Sequence, residues 1–227
     1  MAEFVQKRES AFDRRDEIAR AARALIVEKG VEGLRTRDIA DRVGINVATL
    51  HYHVPTKEAL IELVADSLRR DFIQQSIDRP RAHLTADERM ELEFVDFREN
   101  GIERPEIMLV FSELIERARR DETIAAAILP MKRYWREMIV GLLKEGVIAK
   151  VYRPDIDAEA FATVLMSTFI GFCRTAYRTP EALDRLIAEL RRAIRNPARP
   201  ISGETNHPPK AAAPKRRGRP DKTPIEE

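Results

Sequence analysis

The chain has 227 residues, 44% hydrophobic and 34% charged, with a formal net charge of +2. This is the composition of a globular chain with room for a small module and a larger helical body. It excludes a domain that attracts nucleic acid by bulk basicity, because residues 1–80 hold 14 Lys/Arg against 14 Asp/Glu, so any phosphate contact must come from individually placed charges.

The first residues, MAEFVQKRESAFDRRDE, lack the apolar core of a signal peptide, and residues 1–11 read as a flexible lead-in. From residue 12 the helical pattern begins. Ile18, Ala22, Leu25 and Ile26 form one apolar stripe, and Gly30 stops it. Thr36 is expected to cap a short second helix with Ile39, Ala40 and Val43 inward and Gly44 at its end. Asn46 caps a third, very short helix that must end near His53, since Pro55 pushes Val54 out of the helical region. Thr56 then caps a long helix carrying Leu60, Leu63, Val64, Leu68 and Phe72, with Pro80 past its end.

Five more helices follow, and no period-two run marks a strand. Thr85-Ala-Asp-Glu88 is a capping box, and Pro105 and Pro180 each suit a first helical position. A segment at about 121–146 contains Pro130, which should break or kink it, and Gly146 is expected to close it. Residues 155–178 make the most apolar helix, in which Cys173, the one cysteine, reads as a buried hydrophobe and suits a reducing cytosol. The last helix, 180–195, sets Leu183, Leu186, Ile187, Leu190 and Ile194 against Arg185, Glu189 and Arg192. Residues 196–227 are rich in proline, poor in large apolar residues and basic, with 7 Lys/Arg against 4 Asp/Glu, so they are expected to be a disordered tail. No run approaches the ~18 apolar residues of a membrane span.

The chemistry concentrates in TRDIADRVGINVATLHYHVPTKEAL, residues 36–60. Two short helices joined at Gly44-Ile45-Asn46, with small Ala40 at the crossing and Ile45 and Leu50 beneath the second helix, push that helix outward as a major-groove reader. An ordinary buried helical hairpin would want longer helices and a more apolar outer face. This pattern resembles the tetracycline-repressor (TetR) family over residues ~14–63. It is carried by Thr36, Ile39-Ala40, Gly44-Ile45, Thr49-Leu50, His51-Tyr52-His53 and Lys57-Glu58-Ala59-Leu60. Many members have Ser, Gly, Tyr and Phe where this chain has Asn46, Ala48, His51 and Val54, and the His53-Val54 pair looks closer to the tetracycline repressors themselves.

The resemblance implies an all-α protein of about nine helices. A three-helix helix-turn-helix DNA-binding domain (12–58) would precede an effector-binding and dimerisation domain (59–195), with the basic tail (196–227) following. The implied function is a regulator, most often a repressor, that binds a near-palindromic double-stranded operator as a homodimer and is released by a small, hydrophobic effector. Its DNA contacts would be Thr36, Tyr52 and Lys57 to phosphates, Arg37 to guanine or phosphate, Asn46 at the cap, Val47, Ala48 and Thr49 to thymine methyls, and His51 to a base edge. His51 and His53 face different sides of their helix with no completing ligands, so no metal and no cofactor is expected.

Phe94, Phe97, Met108, Phe111, Met131, Trp135, Met138 and Phe169 are candidates for an effector cavity, or for plain core. Glu113 and Arg117 are one turn apart and read as a surface ion pair. Phe161, Leu165, Leu183, Leu186, Ile187 and Leu190 are the expected dimer interface. In the tail, Arg216, Arg217, Gly218, Arg219 and Pro220 resemble an AT-hook for the A·T minor groove; non-specific phosphate attraction is the alternative. Two other functions compete. An architectural DNA protein would show no ligand response, and an enzyme would need a phosphate loop, HExxH or GxSxG that the chain lacks.

Overall fold

The computed structural model describes residues 2–197, with side chains from residue 13 onward. Nine α-helices occupy the described residues, with no strand among them. They are α1 Ala2–Lys29, α2 Thr36–Val43, α3 Val47–His53, α4 Lys57–Asp78, α5 Ala86–Arg98, α6 Pro105–Arg117, α7 Glu122–Ile148, α8 Ala158–Cys173 and α9 Pro180–Ile194. None is long and apolar enough to cross a membrane. The basic tail and its AT-hook-like motif, Arg216 to Pro220, lie outside the described residues.

Helix ends follow local chemistry. Asn46, Thr56, Thr85, Asp121, Asp157 and Thr179 each accept a backbone N–H of the first turn behind them. The capping box at Thr85–Glu88 is complete, and Pro105 and Pro180 open their helices. Thr36 departs from expectation: Arg35 is the N-cap, without a side-chain cap bond, and Thr36 is the first helical residue. α1 continues through residues 2–11, where the sequence suggested a flexible lead-in; no Gly or Pro lies before Gly30 to break it. The apolar helix expected at 155–178 is shorter at both ends, capped by Asp157 and stopped after Cys173.

α7 departs most from the sequence reading. It runs through Pro130 as one helix. Pro130 and Ala126, whose carbonyl loses its N–H partner, are both exposed, so water can replace the missing bond. Gly146 lies inside the helix and does not end it. A Cβ there would overlap the ring of Tyr152, which is fully buried and donates to Asp87 Oδ1 at 3.2 Å. The glycine therefore lets the 150–155 connection fold back under α5. A five-residue π-helical segment, Glu99–Glu103, joins α5 to α6, with Asn100 and Gly101 buried in it.

α1 packs against α2, α3 and α4 to form an N-terminal head, and α1 also meets α6. The body is organised on α7, which meets α4, α5, α6 and α8, while α9 lies against α5. The core is continuous from Ile18, Leu25, Ile39 and Leu50 in the head to Phe94, Ile107, Phe169 and Leu183 in the body. Cys173 is buried there with its thiol pushed up to about 11 by burial, so it is a small inert hydrophobe.

Candidate nucleic-acid interface and effector cavity

The reading unit is α2, its turn and α3. Gly44 adopts a left-handed conformation (φ 74°, ψ 33°) that an L side chain rarely adopts, and Ile45 N–H donates to the Ala40 carbonyl at 3.0 Å. Ala40 is buried, which permits the close crossing, and Ile39, Leu50 and Val54 are buried beneath α3. Asn46 Oδ1 accepts Thr49 N–H at 2.7 Å, fixing the start of α3. At its other end Arg15 donates to the His53 carbonyl at 2.8 Å. α3 is thus clamped at both ends by side chains.

Thr36, Arg37, Asn46, Ala48, His51, Tyr52 and Lys57 are exposed, and Tyr52 stands out at 82%. Val47 and Thr49, expected to face outward, are half-buried, because Val47 packs on the core. His53 is half-buried, with its pKa lowered by burial and by Arg14 and Arg15, so it is neutral at pH 7 and is packed into the head.

Most basic residues around the reading unit are already engaged. Arg42 makes a two-pronged pair with Glu28, Lys29 pairs with Asp38, and Arg35 donates to the Glu32 carbonyl. Arg37 has no such partner among the described residues. Lys57 is held at 3.1 Å by Asp121, the cap of α7. That pair is mostly exposed and weak, so a phosphate oxygen can replace the carboxylate.

Several ties between head and body escaped the sequence reading. Glu113 and Arg117 on α6 do not pair with each other. Glu113 accepts Val31 N–H at 3.4 Å and Arg117 pairs with Glu32, so both grip the short turn Val31–Gly33 that follows α1. Arg23 on α1, with 10% of its side chain exposed, donates to Ser67 and at 2.6 Å to Asp71, both on α4. The other Asp71 oxygen faces Arg104 at 3.4 Å. Arg104 also approaches Glu99, which accepts from Arg79 and from Gln75. Gln75 in turn accepts from Asn100 at 2.9 Å. Polar contacts therefore run unbroken from α1 to the π-helical segment. Pairs separated by up to 85 residues leave no local sequence signal.

That segment borders a cavity of about 450 Å³ between α4, α5, α6 and α7. Six of the eight expected lining residues are there: Phe97, Met108, Phe111, Met131, Trp135 and Met138. Phe94 and Phe169 are not. Both are fully buried in core packing, where Phe169 stacks on Phe97 at 3.6 Å and meets Phe94 edge-on. The sequence reading missed the polar share of the wall: Gln75, Arg81, Arg89, Glu93, Asp96 and Asn100. Arg81 bridges Glu93 and Asp96. Burial drives the Glu93 carboxyl up to about 7 against the pull of Arg81, and raises Asp96 as well.

The expected dimer face is also redistributed. Leu165, Leu183, Ile187 and Leu190 are buried in the protomer's own core, and Phe161 and Leu186 are half-buried. A helix turns its most apolar stripe to the nearest available core, and α5 and α7 supply one. The outward side of α8 carries Ala160, Val164, Ser167 and Gly171, and a Cβ at Gly171 would meet only open space.

Comparison with known proteins addresses both parts of the chain. Residues 18–64 match the model of bacterial regulatory proteins of the tetR family, and residues 88–197 that of the BetI-type transcriptional repressor C-terminal region. The HTH-type transcriptional repressor KstR2 of Mycobacterium tuberculosis is 29% identical over 160 residues, covering 64% of this chain and 72% of the relative. The class D tetracycline repressor of Escherichia coli is 41% identical over 51 residues, 22% of this chain and 23% of its own. Among solved structures, a TetR-family regulator from Agrobacterium tumefaciens aligns with a TM-score of 0.73 at 19% identity, over 82% of this chain and 99% of its own. KstR2 of M. tuberculosis, described as a ketosteroid regulator, aligns at 0.65 and 21% identity, over 80% and 95%.

Proposed function

The chain belongs to the tetracycline-repressor family of DNA-binding transcriptional regulators, and from that premise we propose that it is a homodimeric, ligand-released repressor of a near-palindromic operator. The observation that carries this reading is the joining of an exposed, end-clamped α3 to a body cavity through one rigid helix. The N-terminus of α4 abuts the reading unit, and its Phe72 and Gln75 line the cavity. A ligand that favours one tilt of α4 biases the placement of α3, which is what an allosteric coupling needs.

Arg37 is the residue assigned to guanine or phosphate recognition. Thr36, Tyr52 and, after leaving Asp121, Lys57 are assigned to phosphates, and Ala48 and His51 to base edges. Specificity then leans on shape and methyl contacts, because α3 itself carries no Arg, Lys, Asn or Gln. The dimer is assigned to the outward sides of α8 and α9, where Ala160, Val164, Ser167 and Gly171 permit close approach of a second copy. Two heads so joined would meet half-sites about 34 Å apart or somewhat more. Such a protein works where the DNA is, in the cytoplasm.

The named relatives are repressors, not enzymes, and an architectural protein would leave a bordered cavity without use. Selection of bound genomic DNA, with and without hydrophobic metabolites, tests the reading. One palindrome, lost on ligand addition, is expected; diffuse binding with no ligand response would overturn it.

A further inference from the structure

The chain passes from α6 to α7 through Arg117-Ala118-Arg119-Arg120-Asp121. Arg119 and Arg120 are exposed, and neither side chain has a hydrogen-bond or ion-pair partner among the described residues. The carboxylates beside the turn are engaged elsewhere. Glu116 is held by Arg174 and Glu32 by Arg117, while Asp121 caps α7 at Ile124 N–H and holds Lys57 at 3.1 Å. Glu122 pairs with neither arginine and lies in the first turn of α7, where the helix dipole favours an acid. Adjacent guanidinium groups without counter-charges repel one another and add nothing to the fold, yet they attract a polyanion.

Tertiary packing sets this turn beside the reading unit. Arg120 and Asp121 donate their backbone N–H groups to the Arg117 carbonyl at 2.9 and 3.1 Å, which fixes its shape. Arg117 reaches the turn after α1 through Glu32, and Asp121 reaches the start of α4 through Lys57. Arg117 and Asp121 thereby border one groove with Thr36, His51 and Lys57. Arg120 adjoins Asp121 in the chain, so its Cα lies about 3.8 Å from that of the residue holding Lys57. A DNA strand whose phosphates meet Thr36 and Lys57 passes this turn.

We propose that Arg119 and Arg120 grip the phosphate backbone of the operator duplex, extending the contact surface of the head onto the body. A guanidinium presents paired N–H donors that match phosphate oxygens, so arginine suits this partner better than lysine. Such contacts supply affinity and register but carry no sequence preference. Because the turn belongs to the body, the strand is gripped on both sides of the head–body joint, and a change in the tilt of α4 parts the two grips. This inference rests on the reading of α2 and α3 as the operator reader and adds a second contact surface to it.

Titration of the full-length protein against labelled duplexes between about 50 and 300 mM salt tests it. Two duplexes are used: the operator selected as above and a random sequence of equal length. With Arg119→Gln and Arg120→Gln together, the slope of log affinity against log salt should become shallower by about 0.9 per lost phosphate contact. That is roughly 1.8 for each protomer. The ranking of single-base operator variants should not change. Arg119→Lys with Arg120→Lys keeps both charges and should recover most of the slope, which a packing role would not do. Arg133→Gln, exposed and roughly 18 Å further along α7 than Asp121, should leave the slope as it was. Ethylation of operator phosphates locates the contacts: the sites that cease to interfere in the paired Gln variant should adjoin those lost in Lys57→Gln. An unaltered slope and ethylation pattern, or an equal loss with Arg133→Gln, would overturn the inference. The repressor reading survives that result if one operator is still selected. A Gln-sensitive slope on the random duplex with no operator selected would keep the phosphate grip and sink the repressor.

Discussion

The head and the body solve opposite problems. In the head, apolar residues point inward, nearly every charge is paired at the surface, and what remains exposed on α3 is there to be touched. In the body, charge is drawn inside: Glu93, Asp96 and Arg81 border a cavity beside the neutral amide of Asn100, and some buried polar atoms have no partner among the described residues. A reader of DNA needs a rigid, fully satisfied support. On the proposed reading the body must instead receive a small molecule, and its cavity wall sets charged and amide side chains beside aromatic rings. The contrast also locates the joint, since buried Arg23 and half-buried Asp71 are the pair that fastens α1 to α4 where the two regions meet.

The strongest way to break the contrast is at that joint. Asp71→Asn leaves Arg23 buried without its counter-charge and should destabilise the protein by about 3 kcal/mol or more. Urea unfolding reads the loss, and the operator's response to any bound ligand should weaken with it. An unchanged unfolding midpoint would mean that head and body are not fastened there. Within the head, Leu50→Ala removes a fully buried side chain beneath α3 and should cost about 3 kcal/mol, with operator affinity falling in parallel.

In the body, pH is the sharper tool. Burial holds the Glu93 carboxyl at about 7, above its ordinary 4.5, with Arg81 and Asp96 beside it and Trp135 facing it from α7. Below pH 4.5 folded and unfolded chains both hold the proton. As pH rises toward 7 the unfolded chain loses it first, so this carboxyl lowers stability across that window and contributes nothing further above it. Glu93→Gln should therefore gain on the unmodified protein from pH 4.5 to 7, by at most about 3 kcal/mol. A difference that stays flat with pH in paired unfolding curves would place Glu93 in an ordinary aqueous setting.

The smallest effect on stability belongs to the residue with the largest proposed role. Arg37→Ala should shift stability by no more than about 0.5 kcal/mol, because Arg37 is exposed and unpaired. It should nonetheless relax preference at one operator position by about 1–3 kcal/mol. Binding measured across all single-base operator variants decides this, and an unaltered preference would return Arg37 to the solvent.

The all-helical class, the caps at Asn46, Thr56 and Thr85, and the α2–α3 turn were legible in the sequence because each depends on residues within four positions of one another. So was the stripe of Ile39, Ala40 and Leu50 that aims α3 outward. Six of the large apolar residues that the sequence marks at helical spacing line the cavity, but the spacing could not separate them from Phe94 and Phe169, which lie in the core. It also assigned Leu165, Leu183, Ile187 and Leu190 to a partner, when the body's own helices cover them. Periodicity tells which face of a helix is apolar, not which neighbour meets it. The charges on the cavity wall and the ties of Glu113, Arg117 and Arg23 to distant residues were set by tertiary packing alone. An ion pair closed across tens of residues depends on where two helices come to rest, and nothing near either residue in the chain records that.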